Sequence, residues 1–211
     1  MGGAAAPVPR RACDRGSLLS GHEVLPLVFV SVGTDFHPFD RLCRWVDAWL
    51  ADGGDEVARC FVQTGTSTPP TLAEHGQYLG QEQMEAMMQE AAVVVCHGGP
   101  GTIMLASTMG KRPIVVPRRK AAGEHVDDHQ HAFTRRIAAD GAIILAESES
   151  DFRGYLSGVL HANGGEPLPP RLTSPADAVR RFEELVQELF GPEEAAGSAP
   201  DPAPPAFRAK V

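Results

Sequence analysis

Cysteine is scarce in this chain of 211 residues: only Cys13, Cys43, Cys60 and Cys96 are present, and no two form a CxxC pair. Spacing of that kind argues against a disulfide-built scaffold and for reduced, cytosolic thiols. Long apolar runs are missing too. The longest, Leu25 to Val32, is far short of the ~20 residues a membrane-spanning helix requires, and no export signal with a cleavage site precedes it. Positive charge is in deficit, with 19 Lys and Arg against 27 Asp and Glu and a net charge of −8. A nucleic-acid partner is therefore not expected, because phosphate-backbone binding needs a broad basic face. The sequence has no P-loop lysine after its glycine-rich turns, no placeable Ser-His-Asp triad and no internal repeat.

What remains is 43% apolar, enough to bury one sizeable core. Residues 1–24 mix Gly, Ala, Pro and Arg without periodicity, and residues 191–211 are rich in Pro, Ala and acid; both are expected to be disordered tails. Between them, residues 25–190 are read as a single domain in which β-branched runs alternate with helical patterns. LVFVSV (27–32) is followed by Phe39, Leu42, Cys43, Val46, Trp49 and Leu50 on one helix face. VARCFVQ (57–63), VVVC (93–96), PIVVP (113–117) and AIILA (142–146) read as further strands. Helices are expected around Met84–Met88, from Gly101, from His125 to Asp140, and from Phe152 to Leu160. The methionines at 84, 87 and 88 read as core filling. A last helix is punctuated by Ser174, Pro175 and the stop Gly191-Pro192. This rhythm predicts an α/β fold, a Rossmann-like parallel sheet with helices on both faces.

Three glycine turns follow predicted strands: Ser31-Val32-Gly33-Thr34-Asp35, Gln63-Thr64-Gly65-Thr66, and His97-Gly98-Gly99-Pro100-Gly101-Thr102. The last opens a helix, where free amides and the positive end of the helix dipole favour a diphosphate. His97 and the Thr102 hydroxyl can add hydrogen bonds. A tight structural turn would use the same glycines. All three turns, however, fall on the carboxyl edge of the sheet, where open parallel sheets bind ligands, and this favours a ligand site. A polar loop from Arg118 to His131 enters a helix on the same edge. In it Arg118 or Arg119 can balance phosphate charge, and Asp128 and Gln130 can bond sugar hydroxyls. His125 and His129 stand four apart, but with no glutamate after the first histidine and no clear third ligand, no metal site is assigned. His37 is read as a helix-entry residue, with an auxiliary base as the alternative.

The segments VFVSVGTDFHPFDRL (28–42), CFVQTGTSTPP (60–70), AAVVVCHGGPGTIMLA (91–106), KRPIVVPR (111–118) and GEHVDDHQHAF (123–133) together resemble the C-terminal donor-binding domain of GT-B glycosyltransferases of family 28. Most similar are the stand-alone halves: the small subunit of the two-part UDP-GlcNAc transferase type and the PssE-like proteins of exopolysaccharide synthesis. The resemblance implies that His97, Gly98, Gly99, Gly101 and Thr102 hold the donor diphosphate. It also implies that His129 and Gln130, with Asp128 beside them, contact the sugar. One position departs from the pattern: eight residues after His97, where an acidic residue usually binds the ribose, stands Leu105.

The function implied is a glycosyltransferase subunit that binds a UDP-sugar and needs no cofactor. It would transfer the sugar to a lipid-linked or polysaccharide acceptor with a membrane-associated, PssD-like partner. The expected location is cytoplasmic, with peripheral association at the inner face of the membrane through that partner. The alternative is a non-catalytic nucleotide-sugar-binding regulatory subunit. A UDP-sugar epimerase is the poorer third reading, because it needs a second domain within the chain. The catalytic base is not assigned.

Overall fold

A computed structural model of the chain describes residues 25–162 together with Arg180, Glu183, Glu184, Val186 and Gln187. The two expected tails, and the last predicted helix apart from those positions, lie outside the described residues.

Six strands make one sheet: β1 (Leu27–Ser31), β2 (Arg59–Gln63), β3 (Glu74–Gly76), β4 (Val93–His97), β5 (Ile114–Val116) and β6 (Ile144–Leu145). Their order is β3-β2-β1-β4-β5-β6, and every neighbouring pair is parallel. The connecting helices are α1 (Asp40–Ala51), α2 (Gln81–Glu90), α3 (Pro100–Thr108), α4 (His129–Ala139) and α5 (Glu149–Ala162).

Alternation along β1 shows why the sheet is covered on both sides. Val28, Val30 and Val32 pack with Leu42, Val46 and Trp49 of α1 and with Phe152 and Leu156 of α5. Leu27 and Phe29 point the other way, onto Met88 of α2 and Ala106 of α3. On that second face Cys96 and Val115 also meet Phe133 and Ile137 of α4. A strand buried on both faces is apolar almost throughout, which is why the first four residues of β1 and of β4 read as continuous hydrophobic runs. Each such side chain withdrawn from water stabilises the fold by roughly 1.5–3 kcal/mol.

Two elements differ from expectation. β3 carries no large apolar residue and joins the sheet through backbone pairing with β2, at Phe61↔Glu74, Val62↔His75 and Gln63↔Gly76. α4 begins at His129 rather than His125. The preceding residues are drawn into a loop because the Glu124 carboxylate is buried against Arg41, at 2.8 Å, and accepts the Arg119 amide at 2.8 Å. Gly123, at φ 71°, closes a 3-10 turn at Lys120–Ala122 just ahead of it.

From β1 the chain builds outward to β2 and β3, then returns to place β4 on the other side of β1. The direction of winding therefore reverses between β1 and β4. A crevice forms at the carboxyl end of such a switch point, and here the loops after Ser31 and His97 face each other across it.

Candidate functional site

The crevice holds a cavity of about 510 Å³, within the range of small-molecule sites. Of the residues singled out in the sequence, Gly33, Thr34, Gln63, His97, Gly99, Gly101, Thr102, Arg118 and Gln130 line it. They come from the ends of four neighbouring strands and from the start of two helices.

The floor is built around His97. A side-chain carbon at Gly33 would lie 2.6 Å from the imidazole and one at Gly99 would lie 2.2 Å from Nε2. The ring is thus held between two backbones that only glycine lets approach so closely, and Gly33 also adopts φ 91°. Burial pushes the His97 pKa down to about 4, and the Arg118 charge adds to this; the Ser31 backbone and Asp35 act the other way. At neutral pH the ring is uncharged and can offer a ligand a hydrogen bond but no ion pair.

Behind it, α3 starts with Gly99 at the N-cap and Pro100 in its first turn, and no side chain caps it. Pro100 has no N–H, so the amides of Gly101 and Thr102 are the uncapped donors of that turn. Gly101 has no atom within 4 Å of where a side chain would stand, and its φ is not positive. Among the described residues neither packing nor backbone conformation requires glycine there, and Gly101 lines both this cavity and another of about 440 Å³ formed with Met104 and Val186.

Arg118 is the buried cation of the site, 1% exposed. Its guanidinium donates to the carbonyls of Val32 (2.7 Å), His37 (2.6 Å) and Glu124 (2.8 Å), which ties the loops after β1 and β5 together. Its Nε is buried without a partner. Asp35 and Glu124 offset its charge, and Asp35 shares the cavity lining with it. Gln130 accepts the Arg118 amide at 3.2 Å through Oε1, which leaves its Nε2 as a donor beside the cavity. Ser31 and Gln63 form a buried polar pair, Ser31 Oγ donating to Gln63 Oε1 at 2.7 Å.

The remaining expected residues sit elsewhere. Gly98 and His129 line a second cavity of about 360 Å³ that shares Pro100, His125 and Gln130 with the first. Gly98 is required by packing, since a side chain there would meet Gln130 and Thr134. Gly65 lines neither cavity: at φ 54° it packs under the carbonyl of Gly33, 2.5 Å from a would-be side chain. Asp128 lines neither as well, and its carboxylate accepts the Lys120 amide at 3.0 Å. Leu105 packs against the apolar cluster of Leu27, Phe29 and Met88.

Sequence reasoning missed Asp35, His125 and Met84 as lining residues. Asp35 lay inside the quoted turn and had a visible signal in its charge. Met84 packs on the core as expected and also reaches the cavity, a double role that periodicity cannot show. The spacing of His125 and His129 does not place them on one helix face, because His125 precedes α4; both instead contact Asp127, at 3.2 and 3.0 Å. Among the described residues, no group of three or more His, Cys, Asp or Glu could hold a metal ion.

The sheet order, the crevice and the helix N-terminus facing it define half of a GT-B fold, one of the two α/β domains that such proteins set across a cleft. The profile of the glycosyltransferase family 28 C-terminal domain matches residues 27–163, and the chain belongs to that family. Solved structures share its fold. ALG13 in solution is 16% identical with a TM-score of 0.51, covering 81% of this chain and 97% of that one. The glycotransferase of kitacinnamycin is 19% identical with a TM-score of 0.50, covering 90% of this chain and 46% of that one. MurG of Acinetobacter baumannii is 19% identical with a TM-score of 0.48, over 81% and 51%. The chain spans less than half the length of CalG4, the calicheamicin glycosyltransferase, and of the kitacinnamycin enzyme, at 42% and 46%. No curated protein matches the sequence at a significant level. Among the described residues no helix is long and apolar enough to cross a membrane.

Proposed function

We propose that the chain is the donor-binding half of a glycosyltransferase and holds a UDP-sugar in the crevice between β1 and β4. The observation that carries this reading is the start of α3: the amides of Gly101 and Thr102 have no side-chain cap, and both residues line the cavity. A diphosphate fits there, because its charge meets the helix dipole and its oxygens can accept the Gly101 and Thr102 amides. The same donors would stabilise the leaving diphosphate as its bond to the sugar breaks. Gln130, with a free amide group on the next helix, is placed to contact the sugar, and His129 stands at the neighbouring cavity.

The acceptor, lipid-linked or polysaccharide, would be brought by a membrane-associated partner of the PssD-like type, and the protein would work at the inner face of the membrane through that partner. The match to ALG13, 97% of which this chain covers, supports reading the described residues as one such half. The test is calorimetric titration with UDP, UDP-GlcNAc, UDP-glucose and GDP-mannose, with and without the product of any neighbouring gene encoding a membrane-anchored half. Saturable binding of a UDP-sugar is expected; failure of every nucleotide to bind, alone and with the partner, would contradict the reading.

Leu105 supports a second reading. Packed into an apolar cluster, it offers no carboxylate to a ribose, as a non-catalytic regulatory subunit that has lost tight donor binding would show. Turnover by the reconstituted pair would exclude this alternative.

A further inference from the structure

The two sides of the crevice offer a ligand different chemistry. The cavity lining takes Gly101 and Thr102 from the start of α3, Gln130 from α4 and Met84 from α2. On this face of the sheet α3 lies between the other two helices. Its Ala106 shares an apolar cluster with Met88 of α2, and its Ile103 shares another with Phe133 and Ile137 of α4. A ligand whose diphosphate meets the α3 amides therefore extends one end toward Gln130 and the other toward Met84. With the sugar at Gln130, the nucleoside falls on the Met84 side.

Proteins commonly claim a ribose with a carboxylate, which accepts its hydroxyl protons. The Met84 side offers none. Asp35 is the one acidic residue among the described residues of the lining, and it belongs to the other side. Its carboxylate accepts the His37 amide at 2.8 Å and lies 3.7 Å from His125, in the loop that precedes α4. Two carboxylates of α2, Glu82 and Glu85, line a separate cavity of about 630 Å³ that shares no residue with this one. The Gln63 amide is engaged within the protein. Its Oε1 accepts Ser31 Oγ at 2.7 Å and its Nε2 donates to the Gly33 carbonyl at 3.1 Å. Met84 is backed by further apolar groups: Met84 and Leu105 pack against one cluster that includes Leu27, Phe29 and Met88.

We propose that the donor's nucleoside packs on Met84 and that the site accepts a 2′-deoxyribonucleotide as readily as a ribonucleotide. The inference rests on the donor reading above and widens its substrate class from UDP-sugars to their 2′-deoxy counterparts. Magnitudes separate the two kinds of wall. A site built to hydrogen-bond a hydroxyl rejects the analogue lacking it by about 10⁴-fold or more, whereas an apolar wall penalises an added hydroxyl by about 100-fold at most. A thioether offers the 2′-hydroxyl only a weak acceptor. UDP thus gains nothing from that hydroxyl, and the deoxy compound is its equal or the better ligand.

The experiment titrates the full chain with UDP and with 2′-deoxy-UDP by calorimetry. The deoxy compound is expected to bind within about threefold of UDP or more tightly. UDP binding tighter by more than about threefold would overturn the proposal, because it would reveal a partner for the 2′-hydroxyl. Met84→Ala should weaken both nucleotides at least about threefold and to the same extent; unchanged affinity, or a loss confined to UDP, would also overturn it. Through-space proton contacts in NMR give the position independently of any variant. The Met84 methyl should contact pentose or base protons of both bound nucleotides, and its silence at saturation would count against the assignment. Failure of both nucleotides to bind would instead bring down the donor reading and this inference with it, whereas UDP binding without 2′-deoxy-UDP binding would bring down this inference alone.

Discussion

At the scale of residues, the glycines of the third turn have separable duties. Gly99 makes room for the His97 ring, Gly98 for Gln130 and Thr134, and Gly101 for nothing among the described residues. Gly101→Ala should therefore leave the fold intact, or stabilise it by up to ~1 kcal/mol because alanine is the better helix residue. It should nevertheless weaken UDP binding at least about tenfold, ~1.4 kcal/mol, as read by thermal denaturation alongside calorimetry. Unchanged affinity would remove the ligand from the start of α3. His97 gives a prediction in pH. Its folded pKa, about 4, lies below the unfolded value, so its contribution is present above about pH 6.5 and is lost as pH falls from there toward 4. The loss amounts to roughly 3 kcal/mol, and denaturant titrations at pH 7 and 4.5 should show most of it. The His97 ring signals should show no protonation at pH 6.

At the scale of elements, the site depends on loops whose geometry is set by one guanidinium. Arg118 joins the loop after β1 to the loop before α4 through three carbonyls. Arg118→Met would leave those acceptors unsatisfied and should cost about 3 kcal/mol or more in urea denaturation. It should also raise the His97 pKa, because the positive charge that opposes protonation is gone; a variant of wild-type stability would contradict this role. For Arg118 or Arg119 the sequence suggested phosphate charge-balancing; the bonds of Arg118 to three carbonyls were not legible there, because an arginine near a predicted anion site looks the same whether it bonds ligand or carbonyl. The strands were legible because β1, β4 and β5 are buried on both faces and show unbroken apolar runs. β3 was not, since Glu74-His75-Gly76 contributes only backbone. The start of α4 was misplaced because the apolar pattern cannot register Glu124 turning inward to meet Arg41. The three glycine turns were visible, yet their division into packing and ligand-facing positions was not, because that depends on what each glycine meets across the crevice.

At the scale of the whole molecule, one sheet with a single reversal of winding brings the ends of β1 and β4 together, and most of the chemistry predicted from separate segments converges there. Gly98 and His129 line the adjoining cavity instead, and Asp128 and Gly65 line neither, held away by a backbone amide and by a neighbouring carbonyl. The membership of residues 27–163 in the family 28 C-terminal domain agrees with this geometry, and the proposed activity follows from how the crevice is lined. The most direct test of the donor site is an amide proton–nitrogen NMR titration of the full chain with UDP. The largest shifts are expected at Gly33, Thr34, Gly101 and Thr102, with smaller ones at Gln130. Shifts confined to other surfaces, or none at saturating UDP, would contradict a donor site at the switch point.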